Sequence, residues 1–283
     1  MTFNDNAKID SSRTRRRGRT GGIVAGGGVV GVVALFLLSQ LLGVDFTGLA
    51  GGGSGGGSDE AIAQCETGAD ANADRDCRIA SAGDSIDTYW AGELAGYRPT
   101  NVVLFDAQTD TGCGGATSAV GPFYCPADET IYIDTTFFDE LRTRFGADGG
   151  PLAEMYVLAH EWGHHIQNVS GTMEGLDLQT PGPESDGVRL EVQADCFAGA
   201  WAGEASTVPD DGGTPFLREI TSDQLAQALS AAAAVGDDRI QGAANGEVNP
   251  ETWTHGSSEQ RQQWFTTGFE NGPDACDTFG AAL

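Results

Sequence analysis

The chain has 283 residues, 41 of them acidic against 15 basic, for a net charge of −26 at pH 7. That balance argues against a nucleic-acid or anionic-surface binder, because polyanions need a basic partner. The length allows one or two domains and a sizeable core.

The basic residues are concentrated at the start. Residues 1–58 hold six of them, whereas residues 59–283 carry 38 acidic residues against nine arginines and no lysine. Residues 1–20 are polar and arginine-rich and read as a disordered cytoplasmic tail. Residues 21–43 contain no charge. Such a run can span a bilayer as a helix, with the preceding arginines marking its cytoplasmic side. A cleavable signal is the alternative reading, with Gly48-Leu49-Ala50 as a small-residue cleavage site and the arginines as a twin-Arg signal. Residues 44–58 end in GGGSGGGS, a flexible linker, so one domain is expected over 59–283. This organisation predicts a single-pass anchor in the cell membrane, with the N-terminus cytoplasmic and the domain outside. Cys65, Cys77, Cys113, Cys125, Cys196 and Cys276 all lie in the domain, and an even number in an exported chain predicts three disulfides. The pairing stays open. Short spacing favours Cys65–Cys77 and Cys113–Cys125, each closing a loop worth about 3 kcal/mol, which leaves Cys196–Cys276.

Residues 59–98 show no chemistry, only a polar helical run over 85–94. Residues 101–105 (NVVLF) read as a strand. A glycine-rich turn region lies between Cys113 and Cys125, and residues 130–134 alternate as a second strand. Residues 137–145 read as a short helix. Pro151 follows two glycines and suits a first helical position. Leu152, Met155, Leu158, Trp162 and Ile166 then recur at helical spacing, and the helix is expected to stop near 168–171. Inside it stands His160-Glu161-x-x-His164, and three of the four histidines fall at 160–165. Residues four apart share one helix face, so His160 and His164 can reach one metal ion. Glu161 projects beside the open coordination position, where it can take a proton from a bound water. His165 points about 100° away from His164 and is read as a supporting residue.

Residues 168–183 form a Gly/Pro-rich loop expected near the metal. The next helix, over 184–204, buries Leu190, Ala194, Phe197 and Trp201. Catalytic zinc takes three protein ligands and keeps one place open, and this helix offers Glu191 and, one turn later, Asp195. Either carboxylate can reach the metal; the favoured reading gives Glu191 the metal and Asp195 the other ring N–H of a ligand histidine. A third helix is expected from Thr221 or Ser222 to about Val235, followed by a polar turn. Ser257 and Gln260 then form a capping box for a last helix over 257–269. His255, just before it, is a candidate hydrogen-bond donor to an oxyanion; its plain alternative is a helix-entry residue. No phosphate-binding glycine motif and no Gly-x-Ser-x-Gly elbow is present.

HEWGHHIQ, EVQADCFAGAW and THGSSEQRQQWFTTGFENG resemble a family of neutral zinc metallopeptidases of bacteria, usually membrane-anchored. The His-Glu-x-x-His and Glu-x-x-x-Asp pair resembles the gluzincins more broadly. The metzincin pattern is excluded, because Gln167 and Ser170 stand where it needs Gly and His. The similarity runs from about Asp59 to the C-terminus. It implies an α+β zincin-like domain, with a small sheet packed on the HExxH helix and a helical second half. It also implies one zinc ion on His160, His164 and Glu191, Asp195 behind a ligand, Glu161 as base, and peptide or protein substrates. By the same analogy, the edge strand that receives substrate is expected at 129–134. Two rivals remain: an anchored scaffold stabilised by zinc, which has no need of Glu161, and a zinc hydrolase of a cell-wall amide.

Overall fold

A computed structural model describes residues 2–18, 59–62 and 65–283. The strands are β1 (Thr14–Arg17), β2 (Asp59–Ala61), β3 (Asn101–Phe105), β4 (Gln108–Thr111), β5 (Gly114–Thr117), β6 (Phe123–Cys125) and β7 (Thr130–Asp134). The helices are α1 (Gly68–Ala73), α2 (Arg75–Glu93), α3 (Phe137–Thr143), α4 (Pro151–Val169), α5 (Asp186–Glu204), α6 (Ser222–Ala234), α7 (Asp237–Asn245) and α8 (Ser258–Asn271). This mixed α and β architecture has a small sheet against helices, as expected. No helix among the described residues is long and apolar enough to cross a membrane. The expected span 21–43 and linker 44–58 lie outside those residues.

The main sheet has the order β2-β1-β3-β7-β6, and β4 pairs with β5 alone. β1, β3 and β7 run parallel, while β2 and β6 pair antiparallel at the two edges. Period-two alternation in the strands sets the layers. Val102, Leu104, Ile131 and Ile133 face the helices. Val103, Phe105, Tyr132 and Phe123 face the other way, onto Ala116 of the β4–β5 hairpin and Val120. A sheet covered on both faces explains why every residue of β3 and β7 except Asn101 is buried, and why their central residues are all apolar.

Two expectations are corrected here. Residues 2–18 are not a disordered tail. Phe3 is fully buried in the main core, Asn72 accepts the Thr2 and Phe3 backbone N–H groups at 3.0 Å, and β1 sits inside the sheet. Two of the arginines that made this stretch look like a solvated tail meet acids, Arg13 lying 3.5 Å from Asp87. The Arg16 guanidinium donates to both carboxylate oxygens of Asp106 at 2.9 and 2.8 Å, and to Asp76 at 2.5 Å. The second correction concerns the edge. Residues 130–134 form an inner strand between β3 and β6, and β6 is the edge on the side of the HExxH helix. A three-residue strand within a Gly- and Pro-rich segment carries too little alternation to be read in advance.

The helices start and stop where their caps dictate. Gly150, at φ 115°, admits the chain to α4, with Pro151 in its first turn. Ser185 caps α5, and Thr221 with Gln224 and Ser257 with Gln260 form capping boxes on α6 and α8. Helix α7 replaces the turn expected after α6; it is short, and its sequence DDRIQGAAN has no apolar stripe. Helix α5 is sandwiched between α4 and α8. A Cβ on Gly163 would lie 2.8 Å from the Ala194 Cα, and one on Gly268 would lie 1.9 Å from the Cys196 carbonyl oxygen. Glycine at those two points lets the three backbones close to contact. The disulfides are Cys65–Cys77, Cys113–Cys125 and Cys196–Cys276, the pairing that the spacings favoured.

Candidate metal centre and active-site cleft

The close crossing at Gly163 brings one face of α4 against one face of α5. His160 and His164 stand on the first, Glu191 and Asp195 on the second. The His160 Nε2 lies 3.2 Å from Glu191 Oε2, and the His164 Nε2 lies 3.5 Å from Glu191 Oε1. Among the described residues, these three side chains form the one group that could hold a metal ion, with ligand atoms within 4.8 Å of one another. A tetrahedral zinc site with bonds of about 2 Å has ligand–ligand edges of about 3.3 Å. Two imidazoles and one carboxylate of this spacing therefore fit zinc.

Each imidazole is oriented from behind. The His160 Nδ1 is 2.9 Å from Asp195 Oδ1. The His164 Nδ1 is 2.9 Å from Gln167 Oε1, and the Gln167 amide N–H donates to the Leu190 carbonyl of α5. With both Nδ1 atoms turned to acceptors, both Nε2 lone pairs point at the shared position. Asp195 also accepts from the Tyr156 hydroxyl at 2.5 Å and from Arg261 at 2.8 and 3.0 Å. Burial alone would push the Asp195 carboxyl up; the Arg261 guanidinium and His160 instead hold it below its ordinary value. Burial would likewise lower the His160 imidazole, but Asp195 and Glu191 raise it to about 10. A metal cation bound at this position would take the place of that proton. Burial favours the neutral form of Glu191 too, and the surrounding His164, His255 and His160 overcome it, keeping the carboxylate ionised.

Glu161 does not join the three. Its carboxyl is buried, and burial raises its pKa against the opposing pull of His160 and His164. The Tyr124 backbone of edge strand β6 bonds to it. The site opens into a cavity of about 370 Å³ lined by His160, Glu161, His164, Glu191 and His255. His255 is held by Asp237, whose Oδ2 accepts the backbone N–H groups of Thr254, His255 and Gly256 at 2.7, 2.7 and 3.0 Å. Burial lowers the His255 imidazole, but the charge of Glu191 and the hydrogen bond it donates to Asp237 raise it overall. His165 turns away, to the Tyr124 hydroxyl at 3.0 Å and the Arg98 carbonyl at 2.6 Å. It ties α4 to β6 and to the segment before β3.

The chain matches the family described as "Putative neutral zinc metallopeptidase" over residues 3–279. It belongs to that family. Relatives in bacteria are similar over about two thirds or more of this chain. An uncharacterized protein of Mycobacterium tuberculosis is 53% identical over 223 residues, covering 78% of this chain and 76% of its own. The uncharacterized protein YpfJ of Escherichia coli K12 is 42% identical over 193 residues, covering 66% of this chain and 64% of its own. No solved structure matches the chain.

Several residues of this site escaped the sequence reading. Tyr156 precedes His160 by one turn, and Gln167 follows His164 by three residues, so helical spacing places both on the histidine face. Arg261 shares a buried stripe with Trp264, Phe265 and Gly268. An arginine on an apolar stripe is itself a sign of a buried anionic partner. Asp237 carried no such signal, since the turn that aims it at 254–256 is tertiary.

Proposed function

We propose that this protein is an extracytoplasmic zinc-dependent endopeptidase with Glu161 as its general base. The observation that carries this reading is the division of labour at the cluster. Three side chains fit one zinc ion, and a fourth, Glu161, is buried beside them without a place among the ligands. A zinc site kept for stability alone would be closed by a fourth ligand and would not need a spare carboxylate beside an open cleft. When bound, zinc supplies Lewis acidity and a water with a pKa of about 7. Glu161 then accepts a proton from the attacking water at a carboxylate oxygen and delivers it to the departing amine nitrogen. His255, held by Asp237, donates a hydrogen bond to the carbonyl oxygen as it gains charge. Among the described residues edge strand β6 has no strand on its outer side; its Tyr124 backbone is bonded to Glu161, and the rest of that edge can receive an extended peptide by strand addition. The three disulfides support an oxidising compartment.

The test is zinc analysis with turnover of an unfolded protein substrate. Wild-type protein should hold about one zinc ion per chain and cleave. Glu161→Gln should keep the zinc and lose 10²-fold or more of the rate, the share of general-base catalysis. Zinc loss in that variant would make Glu161 a ligand and sink the assignment.

A further inference from the structure

The two imidazoles of the metal group are held from behind in unlike ways. Behind His160 stands the Asp195 carboxylate, whose two oxygens both accept, so it serves in either orientation. Behind His164 stands a neutral amide, Gln167. An amide has one accepting end and one donating end. Only its oxygen can take the Nδ1 proton of His164 and leave Nε2 free for a metal. The direction of the Gln167 amide therefore has to be set from elsewhere.

Helix α5 sets it. The Gln167 Nε2 donates to the Leu190 carbonyl at 2.7 Å and to Gln193 Oε1 at 3.1 Å. Gln193 is itself an amide, and its Nε2 donates to the Cys276 carbonyl at 2.9 Å. A carbonyl can only accept, so a reversed Gln193 would set oxygen against oxygen at Cys276 and nitrogen against nitrogen at Gln167. Each link fixes the polarity of the next, from the Cys276 carbonyl through Gln193 and Gln167 to His164 Nδ1, 2.9 Å from Gln167 Oε1. Gln167 is fully buried and Gln193 is 8% exposed, so a lost link would leave a buried polar atom unpaired. Neither of these side chains nor Cys276 lines the cavity, so contact with a substrate does not account for them.

The far end of the relay is pinned. Cys276 is bridged to Cys196, on the same face of α5 as Gln193. Arg189, one turn before Gln193, donates to the carbonyls of Thr278 and Ala281, and the Thr278 hydroxyl donates to the Arg189 carbonyl at 2.8 Å. The C-terminal segment is thus fastened to α5 on both sides of Gln193.

We propose, resting on the zinc reading of the site, that Gln193 is a positioning residue for the ligand His164. It acts through Gln167 and takes its own direction from the disulfide-pinned C-terminal segment.

The experiment measures zinc affinity of the full-length protein by competition with a chromophoric chelator, and the visible spectrum of the cobalt-loaded form. Gln193→Met keeps the bulk and the disulfide and removes the amide. It should weaken zinc about 10-fold, the lower end of the usual cost of losing an outer partner, and should shift the cobalt bands as His164 turns. In a Gln167→Leu background the same change should cost less than about twofold, because coupled residues are not additive. Gln193→Ala runs the same cycle if the Met variant does not fold. Cys196→Ala with Cys276→Ala should weaken zinc in the wild-type background and add little to Gln193→Met. If that pair does not fold, the Gln193 cycle alone decides. Wild-type affinity or an unshifted cobalt spectrum in the Gln193 variant, or an equal loss in both backgrounds, overturns the relay and leaves the zinc site standing. Wild-type affinity with the disulfide removed overturns the tie to the C-terminal segment. A wild-type protein that binds no zinc overturns the reading of the site itself, and the relay with it.

Discussion

Glu191 and Asp195 are identical in charge, one turn apart, and both buried, yet they are placed for different work. Glu191 meets both Nε2 atoms, whereas Asp195 meets one Nδ1 and is saturated by Tyr156 and Arg261. Glu191→Ala should therefore abolish stable zinc binding at neutral pH. Asp195→Ala should weaken affinity by about 10- to 100-fold, the usual cost of losing an orienting partner, and should also strand the Arg261 charge. Zinc titration of the two variants checks the order; the reverse order would reassign the third ligand. His255→Ala should lower kcat with little change in KM, because its bond to oxygen strengthens in the transition state. An unchanged kcat would return it to a helix-entry role. At this scale the sequence was legible wherever function follows helical period. His160, Glu161, His164, Glu191 and Asp195 stand at i, i+1 and i+4 spacings that survive without tertiary knowledge. Arg261 and Asp237 reach their partners across more than one element, and no local spacing encodes that.

The elements divide in the same way. Strands β3 and β7 and helices α4, α5, α6 and α8 announced themselves by alternation, stripe and cap. Helix α7, the β4–β5 hairpin and β6 are short, polar or glycine-rich and take their form from what they pack on. Helix α2 adds a pH signature. Burial pushes Asp84 up to about 6; the bond from the Asp10 backbone opposes this, and the nearby Asp10, Asp87 and Asp211 reinforce it. A carboxyl with a folded pKa above its unfolded value holds more protons in the native state. Its contribution is therefore favourable at low pH and is lost as pH rises through about 6. Asp84→Asn keeps an acceptor for the Asp10 N–H and removes the charge. Thermal unfolding should show a higher Tm than wild type at pH 8 and no gain at pH 4. A gain at both pH values would trace the effect to packing instead.

For the molecule as a whole, the segment 2–18 is structural. Without it β3 becomes an edge, β2 has no neighbour, and the Phe3 cavity opens in the core, a loss of several kcal/mol. A chain lacking residues 2–18 should aggregate or unfold at a much lower Tm. Adding a synthetic peptide of that sequence should restore zinc binding, and a truncated chain as stable as wild type would show the docking to be dispensable. The pairing of β1 has one more consequence, for sidedness. Arg17 and Asp59 are register partners, so the intervening chain leaves and re-enters the fold at one place. A lipid bilayer cannot lie between two hydrogen-bonded strands. One crossing by residues 21–43 would oblige a Gly/Ser stretch to recross the hydrocarbon with its peptide groups unpaired, which lipid does not tolerate. A docked β1 and a single one-way crossing are therefore mutually exclusive. A chain that crosses the bilayer once between β1 and β2 must leave the sheet without β1, and a chain with a complete sheet must have both ends of that stretch on the same side.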